Sequence, residues 1–114
     1  MSNIFSMTDT WNAGATTFTA VLMNVTDTSS TAGSNLLDLQ VGGVSKASVN
    51  KAGYFRTAGF TVAALPAAAT AGAGARAYVT DGSVVAAGNF GTIVAGGGAN
   101  GVPVYSDGTN WRIG

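Results

Sequence analysis

The amino-acid sequence predicts an all-β protein built from short antiparallel strands and hairpins. The helix formers glutamate, lysine, leucine, glutamine and arginine are scarce, whereas valine, threonine and aromatic residues, which favour strands, are plentiful. Residues 35–41 alternate between apolar and polar side chains, the pattern of a strand with one buried face. Gly42-Gly43 and Asp107-Gly108 are dipeptides typical of tight turns between strands. Together these features favour hairpins over helices.

The chain offers little material for a hydrophobic core. Glycine, alanine, serine and threonine make up 60 of the 114 residues, whereas leucine, isoleucine, valine and phenylalanine make up only 25. The net charge is zero, which argues against disorder, because disordered chains combine low hydrophobicity with high charge. Small chains with thin cores often gain stability by oligomerising. We therefore expect an ordered protein that depends on assembly.

Residues 1–15 are predicted to form an N-terminal arm. Its large hydrophobic residues are Ile4, Phe5, Met7 and Trp11. Three of them have helical spacing, and Ser6 with Asp9 fits a weak capping box. In one interpretation the arm is irregular and its apolar residues dock on the body of the protein. In the other it attaches the chain to a larger assembly, because exposed hydrophobic residues near a terminus need a partner surface.

Residues 16–62 are predicted to form a β-meander module. Residues 16–26 read as a strand that becomes apolar on both faces, as expected for a strand buried in a subunit or sheet interface. A polar loop over 27–34 follows. Residues 35–56 then give three hairpin-connected strands, and 57–62 a further short strand. The strands and turns of the meander are 35–41, Gly42-Gly43, 44–49, 50–53 and 54–56.

The rest of the chain divides into an alanine- and glycine-rich linker over 63–77 and a C-terminal β-tip module over 78–114. A helix in the linker is disfavoured by Gly72 and Gly74, which each cost about 1 kcal/mol relative to alanine. The expected elements after it are a strand at 77–80, a turn at Asp81-Gly82, strands at 84–87 and after Asn89, a glycine turn, and strands at 102–105 and 111–113 joined by Asp107-Gly108.

The composition argues against an enzyme. The chain has no histidine, cysteine or glutamate, so a histidine-dependent triad and a thiolate metal site cannot be built, and no catalytic residue, metal or cofactor is assigned. Residues 96–101 fit G-x-G-x-x-G, but Val102-Pro103 follows instead of a helix that would point at phosphates. The balanced charge gives no nucleic-acid footprint, and no apolar run is long enough for membrane insertion.

One group of residues near the C-terminus could bind a sugar. Aromatic rings stack on pyranose rings, and Asp, Asn and Arg side chains bond hydroxyl groups. The candidate contacts for a glycan or receptor are Tyr105, Asp107, Asn110, Trp111 and Arg112. The alternative interpretation is structural, because Tyr105 and Trp111 flank the Asp-Gly turn at matched distances and would pack as cross-strand partners.

Two parts of the chain resemble modules of fibre and tail proteins of tailed bacteriophages. The first comprises 8–12, 18–20, 23–28 and 37–43, followed by the turn Lys51-Ala52-Gly53. The second comprises Leu65-Pro66, 71–81, 94–98 and the closing segment VPVYSDGTNWRIG at 102–114. The proteins of that class are usually longer, with these modules at the distal end.

The resemblance implies an elongated, intertwined homotrimer in the virion, in which three chains share one axis and small residues let them approach. The implied function is non-enzymatic: a short tail, collar or head fibre or spike, with residues 1–15 as virion anchor and the tip contacting host surface polysaccharide. Its partners would be further copies of itself and other virion proteins of the capsid, portal, collar or tail. The alternatives are a capsid decoration (cementing) protein and a free-standing carbohydrate-binding module.

Overall fold

A computed structural model describes residues 2–114; Met1, the first residue of the predicted arm, lies outside them. The chain is mostly β, so the predicted class is confirmed at that level. Two sheets account for the strands. In chain order the elements are β1 (Asn35–Val41), β2 (Val44–Asn50), β3 (Phe55–Thr57), β4 (Gly59–Phe60), a 3₁₀ turn (Val62–Ala64), helix α1 (Ala68–Ala71), β5 (Arg76–Gly82), β6 (Asn100–Ser106) and β7 (Trp111–Ile113).

The first sheet has the order β1-β2-β3 and is antiparallel throughout, as predicted for 35–56. Gly42 and Gly43 join β1 to β2 with φ values of 58° and 78°, a conformation that glycine adopts without strain. Pairing of Leu37 with Val49, and of Val49 with Phe55, places these three side chains on one face. On the other face the Asp38 carboxylate accepts hydrogen bonds from Gln40 and Ser45.

Residues 2–114 leave the apolar face of the first sheet uncovered. Leu39 is 51% exposed and Phe55 65% exposed, and all seven residues of β1 are exposed. A sheet normally packs its apolar face against another layer. Here the second layer is missing from the described chain.

The polar loop before β1 is fixed to the turn after β2. Asn50 is buried, and its Nδ2 donates to the carbonyl oxygens of Ala32 and Ser34, both at 3.0 Å. Lys51 Nζ forms an ion pair with Asp27 at 2.7 Å and also donates to Ser30. These bonds fix where the preceding segment leaves the sheet.

The second sheet has the order β4-β5-β6-β7 and contains the core. β4 runs parallel to β5, and the other pairs are antiparallel. The buried side chains are Val79, Val94, Val102, Val104 and Ile113, with Val62, Leu65, Ala77, Ala86 and Trp111 packed against them. The buried Ser106 hydroxyl donates to the Ala68 carbonyl oxygen at 2.9 Å, which ties α1 to β6.

The segment before the first sheet differs from the prediction. Residues 16–26 form no strand, and the hydrophobic side chains of the predicted arm do not dock on the body: Ile4, Phe5, Met7 and Trp11 are all exposed. Trp11 instead stacks on Phe18, with ring centroids 5.0 Å apart. A strand apolar on both faces needs neighbours, and the described chain does not supply them.

Several predictions between β3 and β6 are also wrong in detail. Residues 57–62, predicted as one strand, contribute the last residue of β3 and the whole of β4. The predicted linker over 63–77 contains α1 and most of the 3₁₀ turn. Asp81-Gly82 ends β5 rather than forming a turn, because Gly82 pairs with Asn100 of β6. Asp81 Oδ1 also accepts a hydrogen bond from the Val62 amide at 2.8 Å. Residues 84–87 form no strand. Residues 89–95 form no named strand either, although Gly91, Thr92 and Val94 exchange backbone hydrogen bonds with β7 around an isolated bridge from Ile93 to Arg112.

Candidate functional site

The C-terminal hairpin divides the predicted glycan contacts between two faces of the second sheet. Tyr105 pairs with Arg112 and Ser106 pairs with Trp111, so the register differs by one residue from the predicted pairing of Tyr105 with Trp111. Because side chains alternate along a strand, Trp111 lies on the core face with Ser106, and Tyr105 and Arg112 lie on the opposite face. We call this opposite face the outer face.

Trp111 is held by the interior of the chain. Its ring packs against the core, and its Nε1 donates to the Pro66 carbonyl oxygen at 2.7 Å. That carbonyl lies in the segment between the 3₁₀ turn and α1. The indole therefore fastens this segment to β7, and its N–H is engaged within the chain.

Asp107 organises the turn between β6 and β7. Its Oδ1 accepts hydrogen bonds from the amides of Thr109 at 2.8 Å and Asn110 at 2.7 Å, and its Oδ2 forms an ion pair with Arg112 Nε. The bonds from Asn110, Arg112 and Thr109 lower the pKa of Asp107 from 3.8 to about 2. The same ion pair raises the pKa of Arg112.

Asn110 closes the same turn through its backbone. Its carbonyl oxygen accepts a hydrogen bond from the Asp107 amide at 3.0 Å, and the residue is half-buried. Asp107 and Asn110 thus shape the loop, and their neighbours Tyr105 and Arg112 present the outer face.

A row of side chains crosses the outer face: Arg76, Tyr105 and Arg112 are neighbours on three adjacent strands. Arg76 Nη1 donates to the Gly114 carbonyl oxygen at 3.2 Å, and Arg112 Nη1 donates to the Gly91 carbonyl oxygen at 2.8 Å. A phenol flanked by two guanidinium groups can stack on a ring and bond hydroxyl or anionic groups.

Tyr78 lies on the same outer face, two residues after Arg76 on β5. Neither Tyr78 nor Arg76 is among the candidate contacts predicted from the sequence. Tyr78 is 42% exposed, and a Cβ atom at Gly101 would overlap its hydroxyl, so its ring lies over the β6 backbone. Tyr105 similarly lies over Gly114. The alternation of positions 76, 78 and 80 indicates a shared face, but only the register of β5 with β6 brings that face beside Tyr105.

The described residues contain no group of side chains that indicates a metal site or a membrane-spanning helix. Within residues 2–114 no group of three or more His, Cys, Asp or Glu side chains could hold a metal ion, and no helix is long and apolar enough to cross a membrane. A groove of about 640 Å³ lies between residues 23–30 and the start of β1. The four predicted anchor residues belong to the exposed segment before that groove and contact solvent.

Comparison of the chain with protein-family models, with curated proteins and with solved structures found no match.

Proposed function

We propose that this chain is a non-enzymatic structural protein of a bacteriophage virion, a short homotrimeric fibre or spike of the tail, collar or head. The observation that carries the proposal is the uncovered apolar face of the first sheet. Leu37, Leu39 and Phe55 form part of that face, and covering it requires surface from outside the described chain. Further copies of the same chain supply such surface with matching chemistry.

The dimensions of the chain support assembly. Its radius of gyration is 18.2 Å, whereas a compact domain of this length has about 13 Å. Its accessible surface is 8199 Å², against about 5,700 Å² for a folded monomer of this mass. The difference of about 2,500 Å² per chain matches the upper end of the roughly 1,000–2,500 Å² per partner that obligate interfaces bury.

The trimeric state and the virion location come from the resemblance to phage fibre and tail proteins, carried by the segments at 8–43 and 65–114. Three chains around one axis would turn their apolar sheet faces inward. In this proposal the exposed hydrophobic residues of the arm bind another virion protein of the capsid, collar or tail, which gives Ile4, Phe5, Met7 and Trp11 their partner.

The outer face of the second sheet is the surface we assign to the host. Arg76, Tyr105 and Arg112 lie side by side there, and Tyr78 adds a second aromatic ring. Aromatic faces beside the Arg76 guanidinium suit an acidic surface polysaccharide, whereas the Arg112 guanidinium is already paired with Asp107 and would add the face of its planar group. Trp111 contributes indirectly, by fixing the strand that carries Arg112.

The first test is the absolute mass of the purified protein by light scattering on a sizing column, with an unheated detergent gel beside it. We expect three times the 11.2 kDa of one chain and a band that resists detergent until it is heated. A stable monomer would contradict the proposal and favour a free-standing carbohydrate-binding module. Antibodies against the chain should also label purified virions; labelling across the head lattice would favour a cementing protein, and no labelling would exclude a virion component.

A further inference from the structure

β1 is an edge strand of the first sheet, and its outer edge can accept a further strand. Among the described residues β1 pairs with β2 on one side only, and all seven of its residues are exposed. A strand edge presents unpaired N–H and C=O groups that readily accept another strand. Asp38, the charged residue of β1, is occupied on the polar face by Gln40 and Ser45, so the edge itself carries no obstacle of charge.

Residues 16–26 have the composition of a strand, and they pair with no strand in the part of the chain that the structure describes. Phe18, Val21, Leu22, Met23 and Val25 are exposed, Leu22 to 82%. Within residues 2–114, the backbone hydrogen bond that this segment makes is at its first residue, from the Thr16 amide to the Ala13 carbonyl oxygen. The segment has no charged side chain and is longer than the seven residues of β1. It can therefore satisfy the whole edge.

We propose that residues 16–26 add as a strand to the free edge of β1 in a second copy of this chain. The inference rests on the assembly in the proposed function and names the contact that holds the copies together. Strand addition satisfies backbone groups on both partners and extends the apolar face of Leu37 and Leu39.

The contacts of the polar loop over 27–34 support a second copy of the chain as the strand partner of residues 16–26. Lys51 holds Asp27 and Ser30 against the turn after β2, and Asn50 holds Ala32 and Ser34. A groove of about 640 Å³ separates residues 23–30 from Asn35 and Leu36 at the start of the same chain's β1. Residues 23–26 thus lie across this groove from the start of their own β1 and are not paired with it. The surplus surface of about 2,500 Å² per chain is large enough for an exchange between copies.

Disulfide trapping tests the inference cleanly, because the sequence contains no cysteine. Two kinds of chain are prepared with tags of different length: one carries Leu39→Cys, and the other carries a single cysteine at one position from 18 to 25. The two are mixed while unfolded, refolded together and then oxidised. We expect mixed-chain disulfides at alternate positions only, since side chains on one face of a strand recur every second residue. The matched control replaces Leu39→Cys with Val85→Cys, which is similarly exposed at 55%, and should lose the adduct.

Each other result overturns the inference. A third sample carries both cysteines in one chain; disulfides that form in this sample but not between the single-cysteine chains would mean that the segment pairs with its own β1. Equal trapping at every position would mean a disordered contact, and no trapping would mean that the edge is not filled by this segment. A wild-type mass of three chains combined with any of these results refutes the strand exchange alone, whereas a wild-type monomer refutes the assembly as well.

Discussion

Asp107 shows how much a single side chain contributes to the C-terminal hairpin. An Asp-Gly pair predicts a turn because the carboxylate can bond backbone amides further along the chain. The structure adds a third bond that the dipeptide does not reveal, the ion pair with Arg112. Together these bonds lower the pKa of Asp107 to about 2.

The first prediction concerns acid stability. Since the folded-state pKa of Asp107 lies below its ordinary value of 3.8, its ionised form stabilises the folded protein above about pH 4. This contribution is lost as the pH falls from about 4 towards about 2. We expect Asp107→Asn to lower the unfolding temperature at pH 7 and to make it less dependent on pH in that window, as measured by circular dichroism.

Two other carboxylates set the limits of this experiment. The pKa of Asp27 is lowered by Lys51 and Ser30, and the pKa of Asp38 by Ser45 and Gln40, so some acid sensitivity remains in the variant. Asp9→Asn is the matched control, because Asp9 bonds only to the adjacent Thr10 amide in the described chain. An Asp107→Asn profile parallel to that of wild type would contradict the assigned role.

The second prediction separates the two interpretations of Trp111. Its indole N–H bonds the Pro66 carbonyl oxygen at 2.7 Å, so Trp111→Phe keeps most of the ring contact and loses one hydrogen bond. We expect a loss of about 1 kcal/mol in the free energy of unfolding, with Trp111→Ala losing more because contacts with the core disappear. Denaturant titration measures both. A stable Trp111→Ala variant that loses glycan binding would instead assign the ring to a ligand.

At the scale of elements, the glycine run 96–98 has a packing function. Gly98 donates its amide to the Asp81 carbonyl oxygen at 3.0 Å, and a Cβ atom there would overlap the Gly82 carbonyl oxygen and stand 2.9 Å from Ser83 Cα. The glycines thus let the 83–99 loop approach the end of β5. This close approach accounts for a pattern that resembles a phosphate-binding loop without a helix behind it.

The third prediction follows from that contact. The atoms facing Gly98 belong to the backbone, which cannot move aside as a flexible side chain can. We expect Gly98→Ala to destabilise the fold by about 2 kcal/mol or more, as overpacking does. Gly33→Ala is the control, because a Cβ atom there meets nothing within 4 Å. Similar unfolding curves for the two variants would contradict the close approach.

The sequence predicts correctly those strands that a tight turn joins to their pairing partner. β1 and β2 meet through Gly42-Gly43, and β6 and β7 through Asp107-Gly108, so pattern and turn chemistry suffice. β4 pairs instead with β5, across the 3₁₀ turn and α1, and residues 91–94 reach β7 through an isolated bridge and three backbone hydrogen bonds. Register was the other limit, since a shift of one residue moved Trp111 to the face opposite Tyr105.

For the whole molecule, the decisive feature is an amphipathic sheet whose apolar face is left uncovered by residues 2–114. Fully burying a leucine side chain stabilises a structure by about 1.5–3 kcal/mol, a gain that the proposed assembly would give to Leu39. Placing a carboxylate there would leave an unpaired charge in the interface, which costs several kcal/mol more. Assembly should therefore be sensitive to this position in a way that a monomer would not be.

The last prediction uses that sensitivity. We expect Leu39→Asp to reduce the mass measured by light scattering from three chains to one and to abolish resistance to detergent. Val85→Asp makes the same chemical change at a position of similar exposure, 55% against 51%, in the loop after β5, and should keep the wild-type mass. Circular dichroism of Leu39→Asp would show whether the second sheet remains folded, since its core lies elsewhere. An oligomer that tolerates Leu39→Asp as well as Val85→Asp would mean that the chains associate through another surface, and the apolar face of the first sheet would then need a different partner.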